Sequence, residues 1–325
     1  MTPQPYDRLV ERIRSPHRLL RDEPMSKHSA LRVGGPADLF YQATDLDEFA
    51  ELTATAQQLN IPIFVIGHGS NILVSDKGVR ALVIYNGCEK IVPGEESYAE
   101  TGAPFKEVFL KNAQAGLSGL EFAVGIPGTL GGALVSNAGA YRKNIADLLI
   151  DLQVVYQGER LTVSPDWMQF SYRDSRLRQN PALPIALLAV RMKLAPRDTR
   201  KIFAEAREYQ RRRILSQPPG PSVGSFFKNV YDNALAEKIV ELPEGHKAAG
   251  VVPAGYLIQA CGLKGLRLGG AGFSGKHANF ILNFGGATAS EIKKLASMAK
   301  KAVYDKFGAM LEEEALYVGE EDEQP

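Results

Sequence analysis

Apolar and polar residues alternate with two different periods along the first third of the chain. Between residues 46 and 59, apolar positions recur every three or four residues, which predicts a helix that buries one face. The capping pattern Thr44–Asp47 marks its start and Pro62 marks its end. The short apolar runs 63–66 and 81–85 predict strands. Strand, helix and strand in this order predict an α/β layer.

The same patterns continue through the rest of the chain. Residues 104–116 predict a second helix, because a proline can occupy the first turn and a glycine can end it. Residues 148–156 and 186–194 predict further strands. The capping box Thr288–Glu291 predicts a late helix that ends at Gly308.

Residues 311–318 predict a final strand whose first part is acidic. With strand alternation, Glu312 and Glu314 share one face and Glu313 points to the other. Acidic side chains on a strand are usually solvated, so one that turns inward is a candidate for a functional site.

Residues 196–215 predict a highly charged helix with a run of three arginines at 211–213. Glu205 and Glu208 interrupt the basic run, which favours a solvated helix over a face that binds polyanions. Strands precede this helix and a proline-rich segment follows it. We therefore expect a domain boundary near residue 197.

Composition narrows the functional classes. The 325 residues carry 38 Lys and Arg against 37 Asp and Glu, a net charge of +1, which argues against a nucleic-acid binder and against disorder. Cys88 and Cys261 form no CxxC pair, which argues against a disulfide scaffold or zinc ribbon and fits a reducing cytosol. The five histidines show no metal-ligand spacing, so we expect no metal. The N terminus has no apolar signal region, and residues 122–137 are too short and broken to span a membrane.

Glycine-rich segments carry the strongest functional signal. They lie at Arg32–Asp38, Gly67–Asn71, Gly125–Ala133 and Asn137–Tyr141. Glycine lets backbone N–H groups converge on a phosphate, and the neighbouring Ser, Thr and Asn side chains add donors. Several such clusters in one chain favour a nucleotide or dinucleotide site over simple tight turns.

Two standard nucleotide motifs are incomplete. The Gly67-His-Gly69 segment lacks the third glycine of a Rossmann fingerprint. The segment Gly270–Lys276 matches the P-loop spacing, but His277 stands where a P-loop needs Ser or Thr to hold Mg²⁺. We therefore expect neither a Rossmann site nor an ATPase.

Two further segments could carry chemistry. Arg173, in Tyr172–Ser175, could bind a carboxylate or phosphate through two hydrogen bonds, or form a structural ion pair with Asp174. Ser225 follows a glycine in a tight turn and Lys228 lies close in sequence. A nearby cation would help this serine donate a proton, and the alternative is a turn serine that bonds the backbone.

The ordered set of these segments resembles one enzyme family. Taken together from about Pro24 to Gly319, they are similar to the UDP-N-acetylenolpyruvoylglucosamine reductases, the flavoenzymes of peptidoglycan precursor synthesis and hence of cell-wall biogenesis. The short spacing from Arg173 to Ser225 resembles the short, type II form of the family. The segments that carry the resemblance are Arg32–Asp38, Gly67–Asn71, Gly125–Thr129, Asn137–Tyr141, Tyr172–Ser175, Gly224–Asn229, Lys276–Phe280 and Leu311–Gly319.

The resemblance implies a mixed α+β and α/β fold, with a FAD-binding fold of the vanillyl-alcohol-oxidase type in two subdomains and a C-terminal α/β substrate-binding domain. The implied boundaries are 1–87 and 88–196 for the FAD-binding subdomains, 197–310 for the UDP-sugar domain, and 311–325 for a strand with the catalytic Glu and an acidic tail.

The resemblance also implies the chemistry. NADPH reduces tightly bound FAD, and the reduced flavin passes hydride to the enolpyruvyl group of UDP-N-acetylglucosamine enolpyruvate. Arg173 and Glu314 then stabilise the enolate and Ser225 protonates its carbon. Arginine suits a carboxylate that gains charge, whereas Glu314 must carry a proton or act through a donor, because a bare carboxylate would repel the enolate.

Binding roles follow by the same similarity. The implied substrate-binding residues are Tyr172, Lys228, Asn229 and His277. The implied FAD-binding residues are Arg32, Gly67, His68, Gly69, Ser70, Asn71, Gly125, Ile126, Pro127, Gly128, Thr129, Gly132, Asn137, Gly139 and Ala140.

Three positions depart from the family pattern: Val230 replaces a usual proline, Ser216 a common lysine, and Arg142 a common glycine. They leave the reaction intact and affect details of substrate or NADPH binding. We expect a bacterial cytoplasmic enzyme with no obligate protein partner. The alternatives are a related FAD-dependent oxidase of a small alcohol and a nucleotide-binding regulatory protein without activity.

Overall fold

The computed structural model describes residues 5–319, so the predicted acidic tail beyond Gly319 lies outside the described residues. The helices are α1 (Pro5–Val10), α2 (Leu46–Gln58), α3 (Phe105–Gln114), α4 (Leu130–Val135), α5 (Arg176–Gln179), α6 (Thr199–Ser216), α7 (Asn233–Lys238), α8 (Glu244–Lys247), α9 (Ala254–Ala260) and α10 (Ala289–Phe307). The strands are β1 (Leu19–Pro24), β2 (Pro36–Ala43), β3 (Ile63–Ile66), β4 (Ile72–Val74), β5 (Val79–Asn86), β6 (Ile91–Val92), β7 (Glu96–Glu100), β8 (Leu117–Ser118), β9 (Gly139–Ala140), β10 (Lys143–Asn144), β11 (Leu149–Tyr156), β12 (Glu159–Val163), β13 (Ala186–Lys193), β14 (Ala195–Pro196), β15 (Val230–Tyr231), β16 (Val251–Val252), β17 (Arg267–Leu268), β18 (Ala271–Phe273), β19 (Ile281–Asn283) and β20 (Leu316–Val318).

Two compact units divide the chain, and the chain passes between them more than once. The first unit contains residues up to Pro24, Pro36–Gly69 and Val79–Arg213; the second contains Met25–Gly35, Ser70–Gly78 and Ile214 onward. The final change falls at residue 213, later than the boundary expected near 197. Helix α6 explains the difference, because Ile202 and Ala206 on its inner face belong to the core of the first unit.

The first unit begins with an α/β layer, as the alternating pattern predicted. Its sheet has the order β1-β2-β5-β3, in which β2, β5 and β3 run parallel and β1 is antiparallel to β2. Helix α2 crosses between β2 and β3 and buries Phe49, Leu52 and Ala56 against this sheet. The central strand β5 is almost entirely apolar, because both of its faces are covered.

A second sheet of the first unit is antiparallel throughout, with the order β12-β11-β13-β7-β6. Helices α3 and α4 contribute Phe105, Phe109 and Leu130 to the core beside it. The ends of α3 agree with the sequence signals: Pro104 is its N-cap, and Gly116, just past its end, has φ +75°.

The second unit packs short strands around α10. Strands β17, β18 and β19 form an antiparallel sheet, β15 pairs with β16, and β20 runs parallel to β4. The capping box at the start of α10 is present as predicted, with Thr288 and Glu291 bonding each other's backbone N–H groups. Gly308 ends the helix at φ +67°.

Two local predictions were wrong. Asp45 caps α2 through a hydrogen bond from the Glu48 amide, where the sequence pointed to Thr44. The late strand is only Leu316–Val318, because residues 311–315 pair instead with the segment around Phe227 through a single bridge at Glu313.

The charged helix prediction holds for Arg207, Arg211 and Arg212, which are exposed.

Candidate active site

Two of the predicted phosphate-binding loops meet in the first unit. A Cβ atom added to Gly67 would overlap the Thr129 hydroxyl and lie 2.6 Å from its Cγ2, so the loops pack closely only because residue 67 is glycine. Gly125 and Gly128 have φ values of +74° and +109°, a conformation that other residues rarely adopt. Thr129 caps α4 by accepting a hydrogen bond from Gly132 N at 3.3 Å.

These features fit a FAD diphosphate. Glycine at residues 67, 69, 125 and 128 leaves backbone N–H groups without a Cβ in the way, and concavities of such groups bind phosphate oxygens. His68 and Pro127 are exposed beside them and Ile126 is half-buried. Of the other residues assigned to FAD, Arg32, Ser70 and Asn71 belong to the second unit.

Arg173 is held by backbone carbonyl groups of another glycine cluster. Its guanidinium donates to the carbonyl oxygens of Gly139 and, at 3.5 Å, Asn137. A side chain at Gly139 would lie 2.9 Å from the Cβ of Asn144, so the cluster needs glycine there. Tyr172 is exposed, and the Arg173 guanidinium carbon lies 5.5 Å from the centre of its ring.

The backbone of this arginine segment is strained. Arg173 has φ +53°, and Asn137 on the facing loop has φ +41°, where each non-glycine residue costs about 1 kcal/mol or more. The Asn137 side chain contributes to holding the loop by donating to Ser171 O at 2.8 Å. Asp174 accepts from Ser175 N at 2.8 Å. Strain of this kind at a predicted catalytic residue supports a functional reason for its conformation.

Arg213 is a functional candidate that sequence reasoning treated as part of a solvated helix. Its side chain packs against Gly125, where an added Cβ would lie 2.9 Å from its Cδ. Burial, together with the nearby Arg173 charge, lowers the pKa of this guanidinium from its ordinary value. The neighbouring Arg211 and Arg212 are exposed. The one sequence signal that separates Arg213 from them is its spacing of one helical turn from Tyr209, which places both residues on the same face of α6.

A charged cluster supports the same part of the first unit. The Glu205 carboxylate accepts from Tyr209 at 2.8 Å, Arg197 at 2.6 Å and Lys143 at 3.2 Å. Burial raises the pKa of Glu205, but these three donors outweigh it and lower the pKa to about 2. The ring of Tyr209 stacks on Tyr141, with 3.8 Å between the ring centres. The cluster therefore ties α6 to the loop that follows Asn137.

In the second unit, Ser225 and Glu314 both adjoin Phe226, the first in sequence and the second through a backbone hydrogen bond. Ser225 lies between Gly224, which has φ +82°, and Phe226, which is fully buried. The Glu314 amide donates to Phe226 O at 2.8 Å. Asn71 donates from its side chain to Glu314 O at 3.0 Å, so both backbone polar groups of Glu314 are bonded.

Lys228 is buried, and its ammonium bonds a residue that the sequence did not assign to the site. Its Nζ lies 2.5 Å from the Glu312 carboxylate, and its amide donates to Glu312 O at 2.8 Å. The Lys228 side chain is only 9% exposed, whereas that of Glu312 is 70% exposed. The Lys228 side chain is therefore buried in the segment that begins at Ser225 and is paired there with an outward carboxylate.

His277 has a defined tautomer. Its Nδ1 accepts from Asn279 N at 3.2 Å, which leaves the proton on Nε2 in the neutral ring. Burial lowers the pKa of His277, so the neutral form dominates near pH 7. Asn229, another of the four predicted substrate contacts, accepts from Ala254 N at 3.3 Å through its side-chain oxygen.

The P-loop-like segment has a structural role. The amide of Gly270, the first glycine of the pattern, donates to the Glu291 carboxylate at 3.1 Å. This N–H group is therefore already hydrogen-bonded within the protein. Lys276 donates to the carbonyl oxygens of Ile214 at 2.9 Å and Gln217 at 2.8 Å, at the C-terminal end of α6. A cation at that end of a helix is favourable, so this lysine stabilises a helix terminus.

Comparisons with known proteins support the predicted family. A FAD binding domain model matches residues 37–164, and a model of the UDP-N-acetylenolpyruvoylglucosamine reductase C-terminal domain matches residues 216–318. The reductase of Geobacter metallireducens is 38% identical over 97% of this chain and 99% of its own length. The chain belongs to the UDP-N-acetylenolpyruvoylglucosamine reductase family.

Two further reductases of this family are similar to the chain over most of its length. The reductase of Agathobacter rectalis is 38% identical over 93% of this chain and 94% of its own. The crystal structure of the Thermus caldophilus reductase is 32% identical, with a TM-score of 0.74 over 92% of this chain and 98% of that chain. The predicted fold class and a flavin-dependent oxidoreductase of peptidoglycan synthesis are thereby confirmed.

The described residues contain neither a membrane-spanning helix nor a metal-binding cluster. Between residues 5 and 319, no helix is both long and apolar enough to cross a membrane. In the same range, no cluster of three or more His, Cys, Asp or Glu side chains is arranged to hold a metal ion.

Proposed function

We propose that this member of the reductase family reduces UDP-N-acetylglucosamine enolpyruvate to UDP-N-acetylmuramate at the expense of NADPH, through bound FAD. The observation that carries the proposal for the catalytic residues is that Ser225 and Glu314 both join Phe226 in the second unit, Ser225 through the peptide bond and Glu314 through a hydrogen bond from its amide to Phe226 O at 2.8 Å. A proton donor and an enolate-stabilising carboxyl group held on one buried residue suit a reaction that protonates an enolate carbon.

Each unit contributes a different part of the chemistry. FAD, when bound, supplies hydride transfer from NADPH to the enolpyruvyl group. In the first unit, Arg173 neutralises the charge that develops on the substrate carboxylate and its neighbouring carbon. The carbonyl groups of Asn137 and Gly139 hold its guanidinium in place, which lowers the reorganisation needed during the reaction.

In the second unit, Ser225 donates the proton to the substrate carbon. Lys228 lies three residues on with a buried ammonium, and its charge favours the serine oxygen as it loses the proton. Glu314 stabilises the enolate through a carboxyl proton. Tyr172, Asn229 and His277 contact the UDP-sugar, and the neutral His277 does so as an Nε2–H donor.

The loops at residues 67–71 and 125–129, with Arg32, Gly132 and the Asn137–Ala140 segment, hold FAD in this proposal. The division of the FAD-binding part into subdomains 1–87 and 88–196 stays part of this proposal, and the two separate sheets of the first unit, one mainly parallel and one antiparallel, support it. We place the enzyme in the bacterial cytoplasm, where its nucleotide-sugar substrate is made. The small-alcohol oxidase is not favoured, because the C-terminal match is to the reductases.

The colour of the protein tests the function. The purified protein is expected to be yellow, to bleach with NADPH without oxygen, and to regain its colour anaerobically when UDP-N-acetylglucosamine enolpyruvate is added. UDP-N-acetylglucosamine, which lacks the enolpyruvyl group, is the control and should leave the flavin bleached. A protein bleached by an alcohol and recoloured only by oxygen would be an oxidase instead.

A further inference from the structure

One buried asparagine makes three hydrogen bonds to the two residues that follow Ser225. The Phe227 amide donates to Asn279 Oδ1 at 2.9 Å, and Asn279 Nδ2 donates to Phe227 O at 2.8 Å. The Phe226 amide donates to the backbone oxygen of Asn279 at 2.7 Å. Asn279 is only 3% exposed, so these bonds have no competition from bulk water.

The same two phenylalanines connect to Glu314. Phe226 O accepts the Glu314 amide at 2.8 Å, and Phe227 forms a bridge with Glu313. Every step from Asn279 to Glu314 is thus a direct hydrogen bond through Phe226 or Phe227. The aromatic rings of these two residues are buried in the core of the second unit, which prevents the segment from shifting on its own.

We propose that Asn279 is a positioning residue that sets the place of the Ser225 hydroxyl relative to Glu314. The proposal rests on the function given above, in which Ser225 donates the proton and Glu314 stabilises the enolate. Asn279 acts on neither substrate nor cofactor directly. It accepts from Phe227 N through Oδ1 and donates to Phe227 O through Nδ2, so two separate atoms of one planar amide bond both polar groups, which no aliphatic side chain can do.

The chemical requirement is a side chain with one donor and one acceptor at fixed positions. A carboxylate at residue 279 still accepts from Phe227 N, but its second oxygen then faces Phe227 O, and two acceptors repel each other. A protonated carboxyl group has an O–H donor and restores the original pattern. The Asn279→Asp variant is therefore expected to be impaired at neutral pH and to recover as the pH falls.

The test compares the two half-reactions of the holoenzyme by stopped flow. In Asn279→Asp at pH 8, bleaching by NADPH should stay within about twofold of the parent, while recolouring by the enolpyruvyl sugar slows by about 10- to 100-fold, the usual scale for a misplaced catalytic group. The recolouring rate of the variant, relative to the parent, should rise as the pH is lowered. Its solvent deuterium isotope effect should also exceed that of the parent, because proton donation becomes slower.

Asn283→Asp is the matched control. Asn283 also donates Nδ2 to a backbone oxygen, Leu31 O at 2.8 Å, and accepts backbone N–H groups, from Gly285 at 2.8 Å and Ala287 at 3.3 Å, but its side chain bonds neither Phe226 nor Phe227. It undergoes the same chemical change, so its loss of thermal stability calibrates the purely structural effect. Its recolouring rate should remain near that of the parent.

Two outcomes overturn the proposal: a recolouring rate in Asn279→Asp no lower than in Asn283→Asp, or equal losses in both half-reactions. If Asn279→Asp yields no folded yellow protein, the neutral Asn279→Ser variant takes its place, with the same slowing of recolouring expected and the same two outcomes decisive. Failure of the parent itself to recolour with the sugar would instead refute the proposed function.

Discussion

The contact between Gly67 and Thr129 makes a quantitative prediction for Gly67→Ala. The new methyl group would overlap the Thr129 hydroxyl and lie 2.6 Å from Cγ2 and 2.9 Å from Cβ, whereas carbon atoms pack at about 3.5–4.0 Å. Gly67 does not have a positive φ, so the backbone tolerates alanine and the whole cost comes from the lack of space.

Thr129 has little freedom to move aside. It is 4% exposed, and its hydroxyl caps α4 by accepting from Gly132 N. Overpacking costs about 1–3 kcal/mol, and losing an N-cap costs about 1 kcal/mol more. We therefore expect the free energy of unfolding to fall by about 2–4 kcal/mol and Tm by roughly 3–6 °C. FAD content should also fall, because the loops must separate.

Thermal unfolding and the flavin-to-protein absorbance ratio of the purified variant measure both effects. Gly245→Ala is the control, because an added Cβ there meets nothing within 4 Å and the residue is exposed. In a double-mutant cycle, Gly67→Ala with Thr129→Ala should be less destabilised than the sum of the two single changes. Additive losses, or a Gly67→Ala variant that behaves like Gly245→Ala, would refute the packing argument.

The remaining predictions concern catalysis and acid stability. Ser225→Ala and Glu314→Gln should each slow flavin reoxidation by the enolpyruvyl sugar by about 10²-fold or more while leaving reduction by NADPH near normal, and equal losses in both steps would make the residue structural. Glu205 has a folded pKa of about 2 against an ordinary 4.5, so its stabilising contribution is complete above pH 4.5 and is lost as the pH falls through 2. Because the Glu205 side chain is 23% exposed, we expect its contribution to the free energy of unfolding to be about 1–2 kcal/mol. In urea unfolding, the stability of Glu205→Gln should therefore depend less on pH in this range than that of the parent. An unchanged pH dependence would contradict the role of the cluster.

Local signals predicted the secondary structure well where the cause is local. The β3 strand was predicted at its observed limits, and the capping box of α10 was predicted correctly, because apolar runs and caps act within a few residues. The cap of α2 was assigned one residue too early, because Thr44 and Asp45 both have the chemistry of a cap. The acidic strand at 311–315 was wrong because its pairing depends on the distant Phe227.

The candidate site residues divide in the same way, into those marked by local motifs and those that depend on contacts with distant residues. Motif order singled out Arg173, Ser225, Lys228 and Glu314, because the residue types needed for the reaction stand in recognisable segments. It did not single out Glu312 or Asn279 as partners of these residues. The two lie 84 and 52 residues from Lys228 and Phe227, and no periodicity links such positions.

The sequence by itself determined the family and the flavin chemistry and supplied the candidate catalytic residues, because each depends on residue types at short spacing. Only the tertiary structure decided which groups touch. It brought Gly67 against Thr129, bonded the Arg173 guanidinium to two carbonyl oxygens, and placed Lys276 at the C-terminal end of a helix. The reason is that hydrogen bonds and steric contacts act over a few ångströms of space, and the distance between two residues in space follows from the fold, whatever their separation along the chain.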